Sequence, residues 1–403
     1  MIREGLLDHP LMALQMLQYC LGAAKSGYFL SATPIAMIRD AIDHYDNEIH
    51  NTIEEVFNVS LSGNERKELA LPQTLGGLNL RISSDIADAA YIGSLVQTQN
   101  LRNKLLNRLP DTISTALTES LDRFNLTHSK DISMQLILAS SKPQKHLSAI
   151  INVDIKSMLF ESADATMKAR LNSTTNVFSS AWTSTIESQN NCAVITPAQI
   201  RLLFSFRIGK TIYSQEEICK SCTGKMSDRL GHHDATCPGL NRTKRRHDAV
   251  RDELFNISRE AGFLPQKEVL KLLDDSGIKP ADILIPDYKH GKSCCFDVVI
   301  SSPFAHVHES SKEIGYAMKE AEKHKNNKYA EKCSSKGYFF SPFAMDIFGG
   351  MSRSCNALIN RLSLALSDKN NVPVWLSKVR IRQRLVSTAQ KYVALALQCR
   401  IDH

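Results

Sequence analysis

Two aspartates, Asp282 and Asp297, stand inside short apolar runs, Lys279-Pro-Ala-Asp-Ile-Leu-Ile-Pro286 and Cys294-Cys-Phe-Asp-Val-Val-Ile300. A carboxylate among buried apolar residues is costly unless it is paired or holds a metal ion. Two of them on neighbouring strands make the oxygen-rich site that a hard cation such as magnesium needs. A cation there lowers the pKa of a bound water and neutralises charge building on a phosphodiester. A lysine would complete such a site by orienting the water or steadying that charge. Val299 occupies the position two after Asp297, so the strand itself supplies no lysine. The helical stretch 309–333 offers Glu322 and Lys325 on one face, with Lys328 and Tyr329 one turn on. An ordinary ion pair on a solvated helix has the same spacing. Asp274 and Asp287 read as caps or surface residues, and Cys294 and Cys295 as small core residues beside the site.

Upstream lies a second cluster, Cys219-x-x-Cys222 followed by His232, His233 and Cys237. Thiolate and imidazole at this spacing can close a tetrahedral zinc site. His233 is the expected ligand, since a single turn separates it from Cys237, and His232 is then a neighbour. A structural zinc would fold a loop too short to build its own core. It would also present Lys220, Lys225, Arg229 and the run Arg242, Lys244, Arg245 and Arg246 to phosphate. His247 opens the next helix, either as a phosphate contact or as a surface residue.

The elements that position these residues are read from periodicity. Leu11, Leu14, Leu17 and Leu21 make a helical stripe ending near Gly22 and Gly27. Thr33-Pro34 predicts a helix start, and Ile38 to Val56 predicts a long helix behind it. Further helices are expected at about 84–98, 110–124, 145–165 and 244–261, with a strand at Tyr338–Met345. The Ser/Thr/Asn-rich stretch Asn172–Asn191 reads as a linker holding one buried anchor at Ala181-Trp182. The fold class is α+β and multi-domain: a mainly helical N-terminal half, a small zinc-binding loop, an α/β core and C-terminal helices.

At 403 residues the chain is expected to hold two or three domains. Its net charge of +7 is compatible with a nucleic-acid partner. Ten cysteines is too sparse for a disulfide scaffold, so the cluster points to metal. No apolar run is long enough to span a membrane, and the start lacks the basic-then-apolar pattern of a signal peptide. An intracellular place, nuclear or cytoplasmic rather than secreted, is expected.

From about Leu6 onward the chain resembles the C-terminal portion of non-LTR retrotransposon proteins of reverse-transcriptase type. In these a CCHC zinc cluster precedes a restriction-like, PD-(D/E)XK endonuclease. The motifs that carry the resemblance occur in the family order. Leu71-Pro-Gln-Thr-Leu-Gly-Gly-Leu78 is similar to the segment after the polymerase. Ser180-Ala-Trp182, Thr196-Pro-Ala-Gln-Ile200 and Leu203-Phe-Ser-Phe-Arg-Ile-Gly209 resemble the lead-in to the cluster. Cys219, Cys222, His233 and Cys237 match the cluster, and Arg246-His247 the pair after it. Pro280-Ala-Asp282 and Asp297-Val-Val match the metal-binding strands. Glu322-x-x-Lys325 matches the helix of the displaced lysine, and Phe343-Ala-Met-Asp346-x-Phe-Gly349 the closing strand.

The resemblance implies a partition into polymerase thumb- or connection-like helices (1–80), a helical linker domain (81–212) and the zinc cluster (213–240). A nuclease core (241–367) and a basic C-terminal helix (368–403) follow. It implies magnesium-dependent nicking of a DNA target, yielding a 3′-hydroxyl that primes reverse transcription. Asp282, Asp297, Glu322 and Lys325 would be catalytic; Arg245, Arg246 and His247 would bind substrate. No Y-x-D-D or F-x-D-D motif occurs. A polymerase half is therefore an expected partner, with retroelement RNA a further one. The alternative is an inactive, zinc-dependent nucleic-acid-binding fragment. The C-terminal helix, with Lys378, Arg380, Arg382 and Arg384, is expected to pack Leu385, Val393 and Leu397 inward.

Overall fold

The computed structural model describes residues 2–106, 111–185, 193–222, 224–269, 272–273 and 281–401. Asp274, Lys279, Pro280 and the 186–191 part of the expected linker lie outside the described residues. The chain is mostly helical, with a four-stranded mixed sheet and a two-stranded ribbon, an α+β organisation. No described helix is long and apolar enough to cross a membrane. The chain forms two compact units, Met1–Ser162 and Ala163–His403.

The first unit is helical. Its longest helix, Ile35–Phe57, buries Ile35, Ile42, Ile53 and Val56 at helical spacing and ends on left-handed Asn58. Pro34 stands at the cap position, so the helix starts one residue later than the Thr33-Pro34 pattern predicts. Leu30, Ile35 and Ile42 pack on Ala87 and Ala90 of the Ser83–Gln97 helix. Buried Asp46 accepts the Ser83 and Ser84 N–H groups, each at 2.8 Å, and caps that helix from its neighbour. The boundary expected at residue 80 is therefore corrected: residues on both sides of it share one core.

In the second unit, β1 (Glu217–Ile218) and β2 (Met226–Ser227) form the ribbon. The sheet runs in the order β3 (Gln266–Lys267), β4 (Ile283–Lys289), β5 (Lys292–Ser301), β6 (Phe339–Asp346). β3, β4 and β5 are antiparallel neighbours, while β5 and β6 are parallel with Asp297 opposite Pro342. Parallel strands need a crossover, and the Tyr316–Ser335 helix supplies it. The β4–β5 turn is tight. Only His290 and Gly291 form it, at φ of 50° and 72°, the hairpin signature of left-handed residues.

Strand alternation divides β5 between two faces. Cys295 packs with Leu284 and with Tyr329 and Cys333 of the crossover helix. Phe296 and Val298 are buried in the alternate positions. The C-terminal helix, Val374–Ile401, is not a separate segment: Ile381, Leu385, Ala389, Val393 and Leu397 are fully buried in the unit's core. Arg384 joins Glu253 at 2.5 Å and Glu260 at 2.9 Å, tying this helix to the Arg242–Glu260 helix.

The expected linker is also corrected. Asn172, Ser173 and Thr174 lie buried in the Ala165–Thr174 helix, and Trp182 is 1% exposed. The Ser/Thr/Asn composition serves internal hydrogen bonds instead of a solvated tether. Asn172 donates to Ser310 O at 2.9 Å, Asn176 to Met351 O at 3.1 Å, and Arg207 to Ser180 Oγ at 2.9 Å. Ser173 donates to Asp346 Oδ2 at 2.6 Å. Asp346 Oδ1 also accepts the N–H groups of Phe348 (2.9 Å) and Gly350 (2.8 Å), closing the turn after β6. Removing a buried acceptor strands its donors, at about 1–3 kcal/mol each. Asp346→Ala is expected to destabilise the second unit by about 3 kcal/mol or more. Chemical denaturation checks it; an unchanged midpoint would refute this role for Asp346.

Candidate active site and metal centre

The metal loop begins at the ribbon. Cys219 donates its N–H to Lys225 O at 2.9 Å across the β1–β2 hairpin, which brings Cys222 back beside it. Asp228 then organises the other half: its carboxylate accepts N–H groups from Leu230, His232 and His233 at 2.9–3.1 Å. These bonds start the short His232–Thr236 helix and aim His233 at the cysteines. After Cys237 the chain passes so close to the first knuckle that a Cβ on Gly239 would meet Ser221 O at 2.0 Å. Only glycine permits that approach.

The donor atoms of Cys219, Cys222, His233 and Cys237 all lie within 4.8 Å of one another. Cys219 Sγ stands 3.7 Å from Cys237 Sγ, and Cys222 Sγ stands 3.4 Å from His233 Nε2. A tetrahedron with zinc–sulfur bonds of about 2.3 Å has edges of roughly 3.8 Å. The set can hold a metal such as zinc. Burial opposes ionisation of Cys219, yet N–H groups of Ser221 and Cys222 and the side chain of His233 bring its thiol down to about 7. His232 turns away and stacks on Phe304 at 3.8 Å between centroids, and burial lowers its pKa. The choice of His233 over His232 fits this geometry.

The acidic pair is assembled by the β4–β5 pairing. Asp282, just before β4, donates its N–H to Phe296 O at 2.9 Å. Its Oδ2 accepts the Val298 N–H at 2.7 Å and faces His247 Nε2 at 3.1 Å. The same ring nitrogen lies 3.1 Å from Val298 O. Two acceptors around one nitrogen require that Nε2 carry a proton. Burial lowers the His247 pKa, but Asp282 and Asp248 outweigh it, and the net shift is upward.

Asp297 is 5% exposed, and Lys325 Nζ approaches its Oδ2 at 2.6 Å. This is an ion pair of close approach without hydrogen-bond alignment. Burial raises the Asp297 pKa, Lys325 opposes it, Asp282 adds to the rise and His247 opposes it; the net direction is up. The carboxylates, the imidazole and the ammonium thus belong to one electrostatic cluster. Lys328 is exposed, with its ammonium 5.0 Å from the Tyr329 centroid. The geometry therefore singles out Lys325. Glu322 does not pair with Lys325: Ser354 Oγ donates to it and lies 2.6 Å from Pro342 O, opposite Asp297.

The expected phosphate contacts separate. Lys220, Lys225, Arg229, Lys244 and Arg245 are exposed. Arg246 is not: it is 4% exposed, donates to Ala235 O at 2.7 Å, and burial brings its pKa down to about 10. Its place as an open phosphate contact is corrected to an internal tie between helix and metal loop. Sequence reasoning missed Asp234 and Arg400. Asp234 is 2% exposed and accepts from Ser227 Oγ, while Arg400 bonds Ser227 Oγ at 2.8 Å and Glu217 at 3.0 Å. The Asp228 capping position was readable from its place before Gly231; the distant Arg400 left no local signal. Searches against family models and curated proteins give no match for the chain.

Elemental analysis of the purified protein is expected to give one equivalent of zinc, lost in His233→Ala and retained in His232→Ala. The reverse pattern would show that the ligand is His232.

Proposed function

We propose that the chain is a retroelement-derived, metal-dependent DNA endonuclease of the PD-(D/E)XK type. The observation that carries this reading is the 2.6 Å approach of Lys325, from the crossover helix, to Asp297 beside Asp282. A helix-borne lysine takes the place left by Val299 in the strand. The element order supports the reading: a helix, three antiparallel strands, a crossover helix and a parallel strand.

The residues fit a hard cation. Oδ1 of both Asp282 and Asp297 has no hydrogen-bond partner among the described residues. Asp282 and Asp297 would hold magnesium, which when bound lowers the pKa of a water and offsets charge on the phosphodiester. His247 donates to Asp282 and fixes its orientation. Lys325 opposes the rise that burial imposes on the Asp297 pKa and places a positive charge where the phosphate becomes more negative. Glu322 and Ser354 hold the crossover helix against β6. The product would be a nick with a 3′-hydroxyl that a polymerase partner extends.

One observation favours the second reading, a zinc-dependent binding fragment without catalysis. Each carboxylate already has a protein partner: His247 and Val298 N–H for Asp282, Lys325 for Asp297.

Supercoiled plasmid separates the two. With magnesium, wild type is expected to nick it, and without added divalent ion it is not. Asp297→Asn is expected to abolish nicking, and Lys325→Ala to slow it about 100-fold or more; Lys328→Ala retains the rate. Salt-sensitive binding with no nicking by wild type would sink the nuclease. The pH profile is a further check. The raised Asp297 pKa means that activity is lost, as pH falls, above the ordinary carboxylate range.

A further inference from the structure

We propose that the end of the four-stranded sheet where β5 and β6 begin binds the phosphate backbone of duplex DNA, through Lys289 and Lys292 at the tip of the β4–β5 hairpin and Lys332 of the crossover helix. This rests on the nuclease reading for its partner and adds to it a contact away from the acidic pair.

The placement follows from topology. β5 and β6 are parallel, so their first residues lie at one end of the sheet, where Cys294 stands opposite Phe339. The β4–β5 hairpin turns at that end, and the crossover helix finishes there, just before β6 starts. Lys289, His290, Lys292 and Lys332 are all exposed. No ion pair joins Lys289, Lys292 or Lys332 to a carboxylate among the described residues. Asp287 and Glu331 are the acidic residues within two positions of these cations, so the balance is positive.

Two observations point to a polyanion. Lys289 and Lys292 stand directly opposite each other in the β4–β5 register. Like charges so placed repel and destabilise a hairpin. Both lysines are exposed, so neither the core nor the turn at His290 and Gly291 requires them. A row of phosphates turns that repulsion into attraction. Lys292 is also steadied: its ammonium lies 5.7 Å from the centroid of the exposed Phe339 ring. The second observation is a row of lysines leading from the acidic pair to this end. Lys325, Lys328 and Lys332 fall on one face of the crossover helix, Lys325 on Asp297 and the other two exposed. On β5, Lys292 precedes Asp297 by five positions, about 17 Å. Strand alternation turns the two to opposite faces, so the tip is a second contact and not part of the acidic site. A duplex suits that separation, since each strand carries a charge every 3.4 Å or so, about the value for B-DNA, on a rod too stiff to bend over this length.

Fluorescence anisotropy with a labelled duplex of about 20 base pairs, in EDTA, tests the surface. The double variant Lys289→Ala, Lys292→Ala is expected to bind about tenfold or more weakly at about 0.1 M salt, and to reduce the slope of log affinity against log salt by about 0.9 per lysine. A control that removes the same charge from exposed positions of the first unit, Lys142→Ala with Lys145→Ala, is expected to change neither. Lys292→Glu separates binding from structure: it ends the like-charge opposition, so the thermal midpoint is expected to rise by about 1–2 °C while binding weakens. A lowered midpoint with lost binding would make the lysine structural and overturn the proposal. So would unchanged affinity and slope in the double variant, an equal loss in the control, or a single strand bound as tightly as the duplex. Nicking by wild type keeps the readings apart. Lysine-dependent duplex binding without magnesium-dependent nicking supports the surface and sinks the nuclease. Nicking with duplex binding that ignores these lysines overturns the surface alone.

Discussion

A carboxylate in the middle of a central strand must be given a partner or a metal ion, and the second unit is arranged around that requirement at Asp297. β5 is the strand with neighbours on both sides, antiparallel β4 and parallel β6. The parallel neighbour forces a crossover, and the crossover helix lies over the face that Asp297 shares with Cys295. Tyr329 and Cys333 of that helix pack with Cys295, which fixes the helix along the strand. Lys325, one turn before Tyr329, then meets Asp297. The apolar contacts set the position of the ion pair, and the ion pair makes the buried charge tolerable.

The metal loop solves a different problem, since it has almost no apolar interior. Cys219 and Cys237 are buried, but the loop is otherwise held by charged and polar ties. Asp228 organises its backbone, and Arg400, Arg246 and Arg242 bind its carbonyls, hydroxyls and Asp234. Several cations of a run that reads as a phosphate-facing surface are therefore structural. The members left exposed are Lys220, Lys225, Arg229, Lys244 and Arg245. This division explains how a chain of only moderate net charge can still present a local basic face.

Much of this was legible in the sequence, and the misses share a cause. The paired aspartates, the cluster spacing, the crossover helix and the strand β6 were read from local pattern, because each depends on residues close in sequence. His233 was separable from His232 by one turn of spacing. The linker reading of Asn172–Asn191 failed because composition cannot tell a solvated serine from Ser173, whose partner Asp346 is far along the chain. The expectation for Arg246 failed for the same reason: a basic run has no mark on the member that turns inward. Arg384 and Arg400 sit in a helix without acidic neighbours, and their partners, Glu253, Glu260 and Glu217, come from distant elements. The domain boundary at residue 80 failed because the turn-rich Leu71–Leu78 segment folds back on its own unit: Leu78 and Leu80 N–H groups bond to Leu69 O, and Gln18 to Leu78 O.

The first two turns of the Arg242–Glu260 helix connect the two sites. Arg242 reaches Ser221 of the metal loop, Arg246 reaches Ala235 beside Cys237, and His247 reaches Asp282. These side chains are close in sequence on one helix, which therefore touches both the loop and the imidazole that bonds Asp282. The helix itself is anchored by Val250, Leu254 and Ile257, all fully buried, and by Arg384 at its far end. Metal held by Cys219, Cys222, His233 and Cys237 would thus stiffen more than the loop: it would set the hydrogen bond on one carboxylate of the acidic pair. The two clusters are joined by one helix whose start carries contacts to both.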